Sequence, residues 1–196
     1  ANATRFAHDH RVVVDPQSAL IRPVVSSVPR NWIGRWAVVR ERQPLEALIA
    51  AWGRHFRVLA DAGLPIKAGA AELLDLLDEL RLPRAIATSS THPTVRRNLD
   101  SLGLTERFHC VVAHGDYANG KPSPDPFLAA AERLGVAPEL CLALEDSHNG
   151  VRSASSAGMM TVMVPDLMPP TDEICGLCAL VVEDLHAVCQ LVGTQP

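Results

Sequence analysis

From residue 69 onward the chain alternates amphipathic stretches with short apolar runs, and that alternation restricts it to very few folds. GAAELLDLLDELR carries Leu73, Leu74, Leu77 and Leu80 at helical spacing, and RAIATSS follows as a short buried-strand run. THPTVRRNLDSLGL repeats the helical pattern with Val95, Leu99 and Leu102, and HCVVAHG reads as the next strand. DPFLAAAERLGV predicts a helix with Asp125 as N-cap, Pro126 at the first helical position and a stop near Gly135. ELCLALED is a third strand, NGVRSASSAGM a small-residue helix and MTVMVPD a fourth strand. ICGLCALVVED supplies a short helix and a final strand, and DLHAVCQLV a closing helix. The pattern predicts an α/β domain built on a doubly wound, Rossmann-like parallel sheet.

Residues 43 to 60 have a different character. Leu45, Leu48, Ile49, Trp52, Phe56 and Leu59 line one stripe of a helix longer than any in the second half, which suggests a separate helical piece. GLPIKAG, with its glycines and proline, reads as the linker that returns the chain to the α/β domain. The expected division is an α/β core from residues 1–19 and 67–196, with 20–66 forming a small, shortened helical cap inserted near the N-terminus.

At 196 residues the chain suits one well-packed domain with a smaller attachment. A net charge of −4 and the lack of any long Lys/Arg run argue against a nucleic-acid or anionic-membrane surface. No apolar stretch reaches the roughly 18 residues of a membrane span, and ANATRFAHDH has no signal-peptide core, so a cytoplasmic protein is expected. Five cysteines, scattered through the second half, fit reduced thiols better than a disulfide framework. Cys175 and Cys178 form a single CxxC, which without a second ligand pair is weak support for zinc or redox chemistry. A monomer or weak dimer is expected, with a small molecule as its partner.

In open α/β sheets ligands bind where the carboxyl ends of the strands meet their loops. The strand after the linker ends in Thr88, Ser89 and Ser90; the next leads into GKPSPD with Lys121; the third ends in Glu145 and Asp146. Hydroxyls and backbone N–H groups at a helix start hold phosphoryl oxygens, and a lysine neutralises their charge. Paired carboxylates hold Mg²⁺, which bridges to the phosphate. Each piece has a plainer reading as well: Asp146 or Ser147 as a helix cap, TSS as cap chemistry, GKPSPD as a proline-stiffened loop. Together and in this order they favour a phosphate and magnesium site.

ATSS, GKPSPDPFLAAAERLGV and LALEDSHNGVRSASSAGM together resemble the second, third and fourth motifs of the haloacid dehalogenase superfamily, in the branch of sugar-phosphate phosphatases and β-phosphoglucomutases. The likeness runs from about Gly63 to Asp166. It implies a Rossmann-like core with a helical cap inserted after the first strand. It also implies that Thr88, with Ser89 beside it, binds the phosphoryl group, that Lys121 steadies nucleophile and phosphate, and that Glu145 and Asp146 hold Mg²⁺.

The family's first motif, an apolar strand ending in DxDGT, is missing, for no DxD occurs in the chain. RVVVDPQSAL is the candidate replacement: Val12 to Val14 as a central buried strand, Asp15 as the nucleophile, Gln17 in place of the acid/base. A glutamine has no proton to exchange, a loss of about 10²–10⁴-fold in rate. The separation of Asp15 from Thr88 is shorter than the family's usual cap requires, so a chain lacking its true N-terminus or an internal segment is the competing expectation. HDH at 8–10 reads as a solvated tail before it reads as a metal site. His148 beside the acidic pair either contacts substrate or faces solvent, and Arg35 in WIGRW either reaches a substrate or flanks cap-core tryptophans. The expected activity is Mg²⁺-dependent hydrolysis of a small phosphorylated metabolite, a sugar phosphate chosen by the cap residues, through an aspartyl-phosphate intermediate; a β-phosphoglucomutase-type mutase and a catalytically silent or N-terminally truncated relative are the alternatives. A signalling receiver domain is disfavoured, because there the acidic pair precedes the phosphorylated Asp and the lysine comes late.

Overall fold

A computed structural model of the chain describes residues 11–14, Arg54 and residues 66–193. The long helix expected at 43–60, the WIGRW segment, HDH and Asp15 lie outside the described residues, apart from Arg54, which is helical and exposed.

Among the described residues six parallel strands form one sheet: β1 (Arg11–Val14), β2 (Arg84–Thr91), β3 (Cys110–His114), β4 (Cys141–Glu145), β5 (Met160–Met163) and β6 (Leu180–Val181). Their order is β3-β2-β1-β4-β5-β6, so the direction of strand addition reverses between β1 and β4. Val12, Val13 and Val14 pair with Arg84, Ala85 and Ile86 on one side and with Leu142, Ala143 and Leu144 on the other. The early apolar run is the central strand that the sequence calls for.

Within residues 66–193 the α-helices are α1 (Ala70–Glu79), α2 (His92–Leu102), α3 (Asp125–Leu134), α4 (His148–Ser156), α5 (Asp172–Leu177) and α6 (Leu185–Gly193). Alternation along the strands decides which face each layer meets. Ile86, Leu142 and Leu144 pack with Leu73, Leu74 and Leu77 of α1, Val95 and Leu99 of α2, and Leu185, Val188 and Val192 of α6. The other face presents Ala85, Ala87, Cys141 and Ala143 to Phe127, Ala130 and Ala131 of α3 and Ala154 of α4. Small residues on both sides of that second contact let α3 and α4 approach the sheet closely.

The chain enters α1 through Gly69, whose φ of +81° suits glycine. A Cβ there would lie 2.7 Å from the Leu185 carbonyl carbon, so the start of α1 also needs glycine to pass the start of α6. Gly103 and Gly135 close α2 and α3 in left-handed caps, as DPFLAAAERLGV predicts for α3. At the other end of α3 the expectation is corrected by one residue. Pro124 is the N-cap and Asp125 the first helical residue. The Asp125 carboxylate accepts from the Asn119 N–H at 2.9 Å and from the Ser123 hydroxyl at 2.6 Å, closing the loop before the helix instead of capping it.

Among the described residues no helix is long and apolar enough to cross a membrane. The five cysteines are free; Cys175 is exposed and Cys178 half-buried, and they form no disulfide.

Candidate active site

β4 is buried along its whole length and delivers Glu145 and Asp146 at its carboxyl end. Glu145 is fully buried and Asp146 nearly so. Two adjacent carboxylates in that position need cations and N–H or O–H donors around them. Lys121 supplies the first: its ammonium pairs with Glu145 Oε1 and sits 4.9 Å from the centroid of the Phe127 ring. Ser147 supplies the second, its hydroxyl donating to Glu145 Oε2 at 3.1 Å and its N–H reaching the same oxygen at 3.4 Å.

Ser147 has a second task. Its Oγ accepts from the Gly150 N–H at 3.0 Å, so Ser147, not Asp146, is the N-cap of α4. This leaves Asp146 outside the cap chemistry. Gly150 is required for another reason: a Cβ on it would overlap the carboxylate carbon and both oxygens of Glu145. The first turn of α4 therefore packs directly on Glu145.

Lys121 lies in a loop braced from two sides. Asn119 and Ser123 close it onto Asp125, and the Ser153 hydroxyl of α4 donates to the Ser123 carbonyl at 2.5 Å. Thr88, at 1% exposure, stands at the end of the buried part of β2, with Ser89 exposed after it. Its Oγ1 accepts from the Ser90 N–H at 3.2 Å, and its carbonyl accepts from the Tyr117 hydroxyl at 3.0 Å. Tyr117 thus ties the loop after β3 to the end of β2.

Below that loop, Asp116 accepts from the Ala113 N–H, Arg133 Nη1 and His92 Nε2 at 3.0, 3.0 and 2.9 Å. Burial opposes its ionisation, but the three donors outweigh burial and hold the carboxyl well below the usual carboxylate range.

The register brings these residues to one rim. Val14 pairs with Ile86 and with Leu144, so Thr88, two residues past Ile86, and Glu145, one past Leu144, both stand past the level of Val14, toward the carboxyl ends of the two strands that flank β1. Lys121 joins them through its pair with Glu145. Asp15 follows Val14 in the sequence and lies outside the described residues. His148 does not stand free at the rim: its Nε2 is 2.9 Å from the Pro169 carbonyl, tying α4 to the segment after β5.

One functional candidate was hidden in the supposed linker. Lys67, from GLPIKAG, is buried with Nζ 3.6 Å from Asp146 Oδ2 and 3.4 Å from Asp166 Oδ2. Asp166 ends MTVMVPD, three residues beyond β5, so inspection of that strand end as well would have found it. Nothing in the local pattern around Lys67 marks it, because its partners are distant in sequence.

Among the described residues no three His, Cys, Asp or Glu side chains cluster to hold a metal. Glu145 and Asp146 nevertheless fit Mg²⁺, which takes one or two carboxylates and completes its shell with water and phosphate oxygens. The oxygen donor set does not suit a metal that needs a cage of thiolates or imidazoles.

A family model described as haloacid dehalogenase-like hydrolase matches residues 3–158. The chain belongs to that family. The resemblance carried by ATSS, GKPSPDPF and LALEDSHNG is borne out, and so is the α/β fold. This haloacid dehalogenase-like hydrolase is 38% identical over 143 residues to protein CbbY of Cupriavidus necator, covering 69% of this chain and 55% of that protein. It is 34% identical over 109 residues to the phosphoglycolate phosphatase of Escherichia coli K12, covering 56% of this chain and 43% of that enzyme. The chain thus spans about half the length of the curated relatives it matches. A solved hydrolase from Pseudomonas syringae superposes with a TM-score of 0.76 at 25% identity, over 95% of this chain and 99% of that one.

Proposed function

We propose that the protein is a Mg²⁺-dependent phosphoric monoester hydrolase acting on a small phosphorylated metabolite of the sugar-phosphate class. The observation that carries this reading is the rim past the level of Val14, where Lys121 is clamped to Glu145 beside Asp146, with Thr88 on the other side of β1. The family and the phosphatase among its relatives support it. In this reading residues 1–19 and 67–196 form the core, and 20–66 form a cap that covers the substrate and excludes water.

Thr88 and Ser89 bind phosphoryl oxygens with the N–H groups that open α2, and Lys121 neutralises charge on the same group. Asp15 is the nucleophile: a carboxylate oxygen attacks phosphorus, a bond to the Asp15 carboxyl forms, and the bond to the substrate oxygen breaks. Water then attacks the acyl phosphate, releasing inorganic phosphate and restoring Asp15. The departing alkoxide takes its proton from water, because Gln17 has none to give; this makes turnover slow. When bound at Glu145 and Asp146, Mg²⁺ offsets the phosphate's negative charge. Glu145 keeps lone pairs for that role while accepting from Lys121 and Ser147.

The test is phosphate release by the full chain from a panel of sugar phosphates, with Mg²⁺ and then with a chelator. Metal-dependent release that Asp15→Asn abolishes is the expected result. Release that survives Asp15→Asn refutes the nucleophile, and no release from any substrate by folded protein refutes the hydrolase.

A further inference from the structure

Lys67 is the feature of the site that phosphate and magnesium chemistry leave unexplained. It comes from the segment that enters α1, while its two carboxylate partners follow β4 and β5. The side chains of Lys67, Asp146 and Asp166 are 10%, 9% and 16% exposed, so water screens their charges poorly. Lys67 is also held by its backbone: Ala70 N–H donates to the Lys67 carbonyl at 3.1 Å, and Gly69 seats the segment against the start of α6. The segment is therefore fixed, with the ammonium within reach of both carboxylates.

That position creates a conflict. An ammonium and a divalent cation both seek the Asp146 carboxylate, and two cations beside one carboxylate repel each other. Asp166 supplies the way out, because Lys67 already stands as close to it, at 3.4 Å, as to Asp146, at 3.6 Å. A lysine with a second carboxylate in reach can give up the first without losing its counter-charge.

We infer that Lys67 and Asp166 form a charge-balancing pair that sets the divalent-cation affinity of Asp146. Lys67 weakens cation binding by competing for the carboxylate, and Asp166 strengthens it by drawing Lys67 away. Both are positioning residues; neither touches the reacting atoms. This rests on the magnesium reading above.

The pair predicts effects of opposite sign, which a merely structural role does not produce. The experiment titrates the full chain with Mn²⁺ alone, reading free ion by electron paramagnetic resonance, with Mg²⁺ as competitor. Lys67→Gln tightens binding by about tenfold and Asp166→Asn weakens it by about tenfold. In the Lys67→Gln background, adding Asp166→Asn changes affinity by less than about threefold, because the lysine that Asp166 restrains is gone. Asp166→Glu, which keeps the carboxylate, recovers most of the loss seen with Asn, and this comparison decides the matter if Lys67→Gln does not fold. Two single variants that shift affinity in the same direction overturn the inference. So does an Asp166→Asn loss that is equal in both backgrounds, since Asp166 would then act as a remote charge by itself. Wild-type protein that binds no Mn²⁺ overturns the metal reading, and this inference with it.

Discussion

Gly150→Ala sets two known effects against each other. Inside a helix, alanine is favoured over glycine by about 0.5–1 kcal/mol, so propensity alone predicts a more stable protein. Position 150 lies in α4, but the new methyl would fall inside the carboxylate of Glu145, far closer than the roughly 3.5 Å of a good contact. Glu145 cannot swing aside cheaply, since Lys121 holds one oxygen and Ser147 the other, and the residue has no exposure. Displacing it breaks a buried ion pair, which costs about 3–5 kcal/mol. The net is a loss of about 2–4 kcal/mol, and at about 2–4 °C per kcal/mol for a chain of this size the melting temperature falls by roughly 5–15 °C. Scanning calorimetry of metal-free protein at neutral pH measures it. Gly176→Ala is the control: it too lies in a helix, but nothing stands within 4 Å of its Cβ, so its melting temperature holds or rises slightly. A Gly150→Ala protein melting within about 2 °C of wild type would refute the claim that α4 packs rigidly on Glu145.

Further expectations concern single charges. Lys121→Met leaves Glu145 buried without its cation, so stability falls by about 3–5 kcal/mol in chemical denaturation, and phosphate release from the best substrate drops by at least about 100-fold. Asp116 has a depressed carboxyl pKa, so its stabilisation is present above the unfolded value and is lost as pH falls through the folded one. Asp116→Asn is therefore less stable than wild type at neutral pH, and the gap closes as denaturation curves are taken below about pH 4. Arg152 pairs with Glu173 across α4 and α5 in the open, at 2.7 and 2.8 Å, and Arg152→Ala leaves the melting temperature unchanged because solvent and salt screen such a pair.

Much of this fold was legible in the amino-acid order because periodicity is a local property. Leu73, Leu74 and Leu77 mark α1, and the apolar runs that became β2 to β5 are short enough to be strands and too short for most helices. The central position of Val12 to Val14 follows instead from the family resemblance, whose fold puts its first strand in mid-sheet, with this the only early apolar run suited to it; the three residues pair on both sides. The caps were less legible. Asp125 and Ser147 both have N-cap chemistry, yet Ser147 caps and Asp125 closes a loop, because the choice turns on where the preceding backbone runs.

The site divides along the same line. Thr88, Lys121, Glu145 and Asp146 could be expected at one rim from sequence because each stands toward or after the carboxyl end of a strand in a parallel sheet, and such residues share an edge whatever the details of packing. What only the tertiary structure decided is how their charges are balanced: Lys121 goes to Glu145, while Lys67 stands between Asp146 and Asp166. The sequence carries no signal for that division. The partners are 24 residues apart or far more, and an ion pair is set by distance and burial in three dimensions, which neighbours along the chain do not encode.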